Sequence, residues 1–169
     1  MTLVLTGRSV LGAEKLEQLR QLEALGARVV YRQMDVADSA AVEACVAEMV
    51  QTHGPLTGVI HTARVLHDGG LMKKTESELR AVLAPKVAGV LALDAATRDQ
   101  PLEVFVSLAF AADNAGQLDR ATADAFLNAY AAHRAMAVAG ERSGRTRSID
   151  GPSWENGTLG VRCRWIRLG

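Results

Sequence analysis

Short apolar runs alternate along this chain with amphipathic stretches of helical period. Residues 2–5 (TLVL) stop at Thr6-Gly7-Arg8-Ser9, a buried strand followed by a turn. Leu16, Leu19 and Leu22 predict the inner side of a helix over 14–24, ended by Gly26. Residues 28–32 (RVVYR) are β-branched and aromatic, hence a strand. Asp38 is placed to cap a helix with Val42, Cys45, Val46, Met49 and Val50 on one face, which His53-Gly54-Pro55 stops. Residues 56–61 (LTGVIH) predict a third strand. Thr75 and Glu78 spell a capping box for a helix carrying Leu79, Val82 and Leu83. Pro85 interrupts that pattern, so a second helix is expected from Val87 to about Thr97. A strand over 104–108 and a helix with Ala123, Phe126, Leu127, Tyr130 and Ala131 inside follow. Beyond Gly140 the pattern weakens to loop and one short strand, and residues 161–168 (VRCRWIRL) alternate like an edge strand.

Strands alternating with amphipathic helices predict an α/β fold with a mostly parallel sheet covered on both faces. Ligands then bind beyond the carboxyl ends of the strands. Those ends are residues 6–9, 34–36, 61–64 and 107–114, which locates a site from pattern alone. The chain has 169 residues, enough for one domain with a real core. Its formal net charge is zero, 49% of residues are hydrophobic and 22% charged, which points away from disorder, nucleic-acid binding and membrane surfaces. With no apolar run of spanning length and no signal-like N-terminus, a cytoplasmic setting is expected. Cys45 and Cys163 form no CxxC pair, and Cys45 reads as a buried thiol. His53, His61, His67 and His133 have no metal-ligand spacing, so no metal site is expected.

The phrases LVLTGRS, LGARVVYRQMDVAD, PLTGVIHTARVLHDG, LAPKVAG and GQLDRATADAFLNAYAAHR, in this order and spacing, resemble the catalytic half of a ketoreductase domain from a modular polyketide synthase. That family lies in the short-chain dehydrogenase/reductase superfamily. The resemblance covers residues 1–160, with 161–169 a divergent tail, and SIDGPSWENG resembles the closing segment in synthases that use separate acyltransferases. It implies a Rossmann-like doubly wound parallel sheet that lacks the first βα unit. LVLTGRS matches the family's second strand, and no GxGxxG turn is present. An alternative register reads residues 6–12 (TGRSVLG) as a shortened form of that turn, with a βα unit missing later.

In such reductases a tyrosine hydroxyl protonates the substrate carbonyl while NADPH delivers hydride to its carbon. A serine orients the carbonyl oxygen, a lysine lowers the tyrosine pKa and holds the nicotinamide ribose, and an asparagine completes the set. Carried over by position, the lysine falls on Lys86 and the serine on Ser107, but the tyrosine falls on Arg120 and the asparagine on Asp124. A guanidinium stays protonated at all relevant pH and cannot serve as the acid. The resemblance puts Arg8 and Ser9 at the 2′-phosphate of NADPH, Asp35 and Val36 at the adenine, and Thr62 and Ala63 beside the nicotinamide. Arg64 stands where the family has a glycine at close backbone approach. Leu66-His67-Asp68 falls where some relatives carry a marker of hydride face.

Three functions follow as expectations. The first is a redox-inactive domain with a structural or docking role among other polyketide synthase domains or an acyl carrier protein. The second is an active NADPH-dependent β-ketoacyl reductase whose missing strand comes from another chain or a swapped copy in a homo-oligomer. The third is an anion cradle of Lys86, Arg120 and Arg64 for a carrier's phosphopantetheine phosphate. As simpler alternatives, Ser107 bonds a nearby loop, Lys86 is a surface lysine, and Arg120 with Asp124 is an exposed helix ion pair.

Overall fold

The computed structural model describes residues 1–63, 65, 74–110, 118–137 and 142–151. Its elements, in chain order, are β1 (Thr2–Gly7), α1 (Ala13–Ala24), β2 (Arg28–Gln33), α2 (Ser39–His53), β3 (Gly58–His61), α3 (Glu76–Ala96), β4 (Val104–Phe110), α4 (Leu118–Ala137) and β5 (Arg145–Gly151). The Asp38 carboxylate accepts from the N–H groups of Ala40 and Ala41 and opens α2. Thr75 and Glu78 close the capping box on α3. Gly26 and Gly54 take φ of 89° and 86°, the left-handed conformation that suits glycine after a helix.

All pairings are parallel, yet the strands form two sheets: β1–β2 and β3–β4–β5. Among the described residues no strand pairs with the second edge of β1 or of β3. In the described residues the two sheets do not close on each other, in agreement with the register lacking the first strand, whereas the alternative register would pair β1 with β3. Ile60, on the edge strand β3, is 69% exposed.

The main core lies between the three-stranded sheet and helices α3 and α4, where Val59, Val90, Leu102, Phe105 and Leu127 pack together. The expected inner face of α4 is confirmed in Ala123, Leu127 and Ala131, which are buried. Three sequence expectations are corrected. Pro85 does not divide the helix: α3 runs unbroken from Glu76 to Ala96 with Pro85 inside it. A proline there removes one helical hydrogen bond and costs about 3 kcal/mol. Burial of Val82 and Pro85 on one side of that point and Gly89 and Val90 on the other offsets the loss. Helix α1 buries no residue, and Leu16 is exposed. A two-stranded sheet with a free edge offers this helix too little surface to cover it. Cys45 is half-buried rather than buried.

At the amino ends of β4 and β5 the core holds charge. Asp94 accepts from Arg134 Nε at 2.7 Å, from Arg142 Nε at 3.1 Å and from the Tyr130 hydroxyl at 2.6 Å. Arg134 also donates to Thr146 Oγ1 and the Ser143 carbonyl and lies 4.2 Å over the Phe105 ring. Burial raises the Asp94 pKa, but the bonds from Tyr130, Arg134 and Arg142 together outweigh it and hold the carboxyl below its usual range. Burial, then the bond to Asp94, pushes the Tyr130 phenol up.

Gly89 of α3 links the two sheets. A Cβ there would lie 2.9 Å from a Val36 methyl carbon beyond β2 and 3.2 Å from His61 Cε1 on β3. Gly89→Ala is expected to destabilise the fold by about 1–3 kcal/mol through overpacking, read as a lower urea midpoint with unchanged slope.

Candidate functional site

Register sets up the site. In three parallel strands His61, Ser107 and Ser148 are direct neighbours, so their side chains share one face. Val59, Phe105 and Thr146 occupy the same face one step earlier, beneath α3 and α4. Apolar packing therefore gives way to polar side chains near the carboxyl ends of the strands, where the α/β pattern places a site.

The helices add three charged groups. Lys86 of α3 and Arg120 and Asp124 of α4 are 2%, 6% and 4% exposed. Lys86 Nζ donates to Asp124 Oδ1, and Arg120 Nε lies 3.8 Å from Asp124 Oδ2. Arg120 and Asp124 are thus neither an exposed pair nor each other's closest partners. The carboxylate's hydrogen bond goes across to the neighbouring helix, and Lys86 is not a surface lysine. One turn away, Lys74 is paired with buried Asp119, whose other oxygen accepts from the Arg120 N–H at 2.9 Å. Burial works to raise the Asp119 pKa, and Lys74 and the Arg120 N–H hold it below the usual range.

His61 is 3% exposed, and its pKa is pushed down to about 4, by burial first and the Lys86 charge second, against a bond to the Pro85 carbonyl. It is a neutral imidazole at physiological pH. Its Nε2, with Asp124 Oδ2 and Ser148 Oγ, has no hydrogen-bond partner among the described residues. The constellation can hold polar atoms and fixed charge. Among the described residues of the cluster, the Arg120 guanidinium cannot release its proton near neutral pH, and the Lys86 ammonium is engaged by a carboxylate.

The residues matched to cofactor binding follow the ends of β1, β2 and β3. Arg8 and Ser9 are exposed, and their backbone carbonyls accept from Gln33 Nε2 at 2.9 Å and the Tyr31 hydroxyl at 2.6 Å. The Asp35 carboxylate accepts the Ala37 N–H at 2.9 Å, Val36 packs at Gly89, Thr62 is exposed and Ala63 half-buried. Val36 and His61 meet at Gly89, which ties this row to the buried cluster. Arg64, Leu66-His67-Asp68 and the tail 161–169 lie outside the described residues. For NADPH the fit is poor at one observed point: Lys86, matched to the nicotinamide ribose, is held by Asp124.

Sequence reasoning missed Ser148, the Lys74–Asp119 pair and the Asp94 network. The last had a signal, because Asp94 continues the apolar stripe through Val87 and Val90 and Arg134 continues that of Leu127 and Ala131. A charged residue on an apolar stripe calls for a buried partner.

Residues 1–154 match the KR domain family. Polyketide synthase PksL of Bacillus subtilis (strain 168) is 41% identical over 169 residues, 98% of this chain and 4% of the relative. PksN of the same organism is 43% identical over 161 residues, 93% of the chain and 3% of the relative. A ketoreductase domain from the bacillaene assembly line superposes with a TM-score of 0.88 at 41% identity, over 95% of this chain and 39% of that one. An NADP-bound short-chain dehydrogenase from Burkholderia cenocepacia J2315, with a TM-score of 0.76 at 23% identity over 87% of this chain and 62% of that one, shares the fold. The chain thus spans a small part of the synthases and under half of the bacillaene domain. By sequence, parallel α/β architecture and site position together, it belongs to the KR family, the ketoreductase domains of polyketide synthases within the short-chain dehydrogenase/reductase superfamily.

Proposed function

We propose that this chain is a redox-inactive ketoreductase-like domain with a structural or docking role in polyketide assembly, in the cytoplasm, beside other synthase domains or an acyl carrier protein. The observation that carries the reading is the buried contact of Asp124 with Lys86, next to an arginine at the position matched to the catalytic tyrosine. The proton donor is replaced, and the lysine that would depress its pKa and grip the ribose has another partner. NADPH, the family's cofactor, is then not bound productively. Titration of the purified protein with NADPH is expected to leave nicotinamide fluorescence unchanged, and a β-ketoacyl thioester is expected to survive incubation with both. Measurable reduction of the thioester overturns the reading.

A second reading has one observation in its favour. The free edges of β1 and β3, with Ile60 exposed on the latter, suit a chain that receives a parallel strand from another polypeptide or a swapped copy and becomes an NADPH-dependent β-ketoacyl reductase. Parallel strands lie about 4.8 Å apart, so one inserted strand needs a gap of about twice that. On this reading Arg120→Tyr raises turnover well above the parent protein; no gain in a variant that binds NADPH counts against it. The anion-cradle reading draws no support from the geometry, since Lys86 and Arg120 are buried around a carboxylate.

A further inference from the structure

We propose that two copies of this chain form a twofold dimer in which helix α1 of each protomer covers the open sheet face of its partner. The face follows from strand register. Val59, Phe105 and Thr146 lie beneath α3 and α4, so the residues alternating with them look the other way. Ile60, Val106 and Arg147 form one row there, with Leu108 and Ile149 the next toward the carboxyl ends. Arg145 stands beside Val104 one row earlier. None of these side chains is buried, and Ile60 and Val104 are exposed. A parallel sheet ordinarily has both faces covered, and an apolar face left in water marks an interaction site. Arg145 and Arg147 line this one along β5, exposed and without an acidic partner among the described residues.

Helix α1 is open in the complementary way. It buries no residue, and Leu16 is exposed. Leu16, Leu19 and Glu23 are spaced i, i+3 and i+7 and share one side of the helix. Glu23 is exposed, has no ion-pair partner among the described residues, and lies in a last turn that holds no basic residue. The negative end of the helix dipole disfavours an acid there, so cations brought by another surface stabilise it. The spacings agree. Leu16 and Glu23 are about 10 Å apart along α1. On the sheet, the Leu108 row lies about 7 Å from Arg147 and about 13 Å from Arg145. Setting Leu16 on that row brings Leu19 to Ile60 and Val106 and Glu23 between the two arginines. The helix then runs antiparallel to the strands, as the crossover helix α3 does on the opposite face. Five residues join β1 to α1 and three join α1 to β2, which ties each helix to its own β1–β2 sheet. The helix that covers β3–β4–β5 therefore comes from a second copy. Each protomer carries both the helix and the face, so the exchange closes about a twofold axis. The dimer asks nothing of the redox chemistry and is separate from strand donation at β1 and β3.

Sedimentation velocity of the full chain across micromolar concentrations is expected to show a monomer–dimer equilibrium. Leu16→Glu, Glu23→Arg and the pair Arg145→Glu/Arg147→Glu change only exposed side chains. Each is expected to raise the dimer dissociation constant at least about tenfold. Mixing is the decisive arm. A heterodimer of the Glu23→Arg chain with the Arg145→Glu/Arg147→Glu chain regains opposite charges at both of its contacts. The mixture is expected to associate while each of the two chains alone stays monomeric. A parent chain that remains monomeric overturns the proposal and leaves the face to another occupant. A dimer indifferent to all three changes, as strand exchange would give, overturns it too, and so does a mixture no tighter than its components. Amide hydrogen exchange of the parent protein is a second readout that needs no variant. The amides of α1 are expected to gain protection as concentration rises, and protection independent of concentration removes the dimer.

Discussion

Replacing Asp94 by alanine is expected to cost about 3–5 kcal/mol, the range for removing one partner of a buried ion pair. Arg134 would keep its full charge while 1% exposed, with only Thr146, the Ser143 carbonyl and the Phe105 ring left to it. Tyr130 would lose the acceptor for its hydroxyl. For a chain of this size the melting temperature should fall on the order of 10 °C, followed by circular dichroism. Glu17→Ala is the control, because the Arg20–Glu17 pair is exposed and should shift stability by less than about 1 kcal/mol. Equal effects of the two changes would mean that the buried network contributes no more than a surface pair. The acid dependence has a definite sign. The Asp94 pKa is lowered by folding, so its contribution is complete above the unfolded carboxylate value and is lost as pH falls through the lower folded one.

The second large effect belongs to His61 and falls in a different pH window. Its folded pKa of about 4 lies below the ordinary 6.5, chiefly from burial and then from the Lys86 charge. Between those values the unfolded chain binds the proton and the folded chain does not. Stability should therefore rise with pH from about 4 to 6.5 and level off above. The shift corresponds to roughly 3 kcal/mol lost across that window on acidification. Urea midpoints measured at half-unit pH steps check it. In His61→Phe the slope over this window should largely disappear, whereas an undiminished slope would assign the acid sensitivity to another group.

Much of the architecture was legible because hydrophobic period and helix-end chemistry are local. Asp38, Thr75 with Glu78, Gly26 and Gly54 mark ends that a few neighbouring residues determine. Strands such as VFVSLAF declare themselves by β-branched and apolar content. The failures were of another kind. Pro85 obeys a local rule that tertiary burial on both sides of it overrides. Leu16 has the right spacing for an inner face, but the two-stranded sheet beside it leaves that face uncovered. The positions of Lys86, Ser107, Arg120 and Asp124 were legible only through the family's spacing, since nothing local marks a lysine as buried.

By itself, then, the sequence determined the element order, the parallel α/β class and the placing of the candidate site at the carboxyl ends of the strands. These depend on residue identity and short-range spacing. Only the tertiary structure decided that Asp124 gives its hydrogen bond to Lys86 and lies farther from Arg120. Spacing along α4 brings 120 and 124 within reach of each other, but the packing of α3 against α4 sets which cation comes closer. Likewise, only the fold showed that among the described residues no strand pairs with the second edge of β1 or of β3, because strand pairing is a long-range choice that a strand's own residues do not encode.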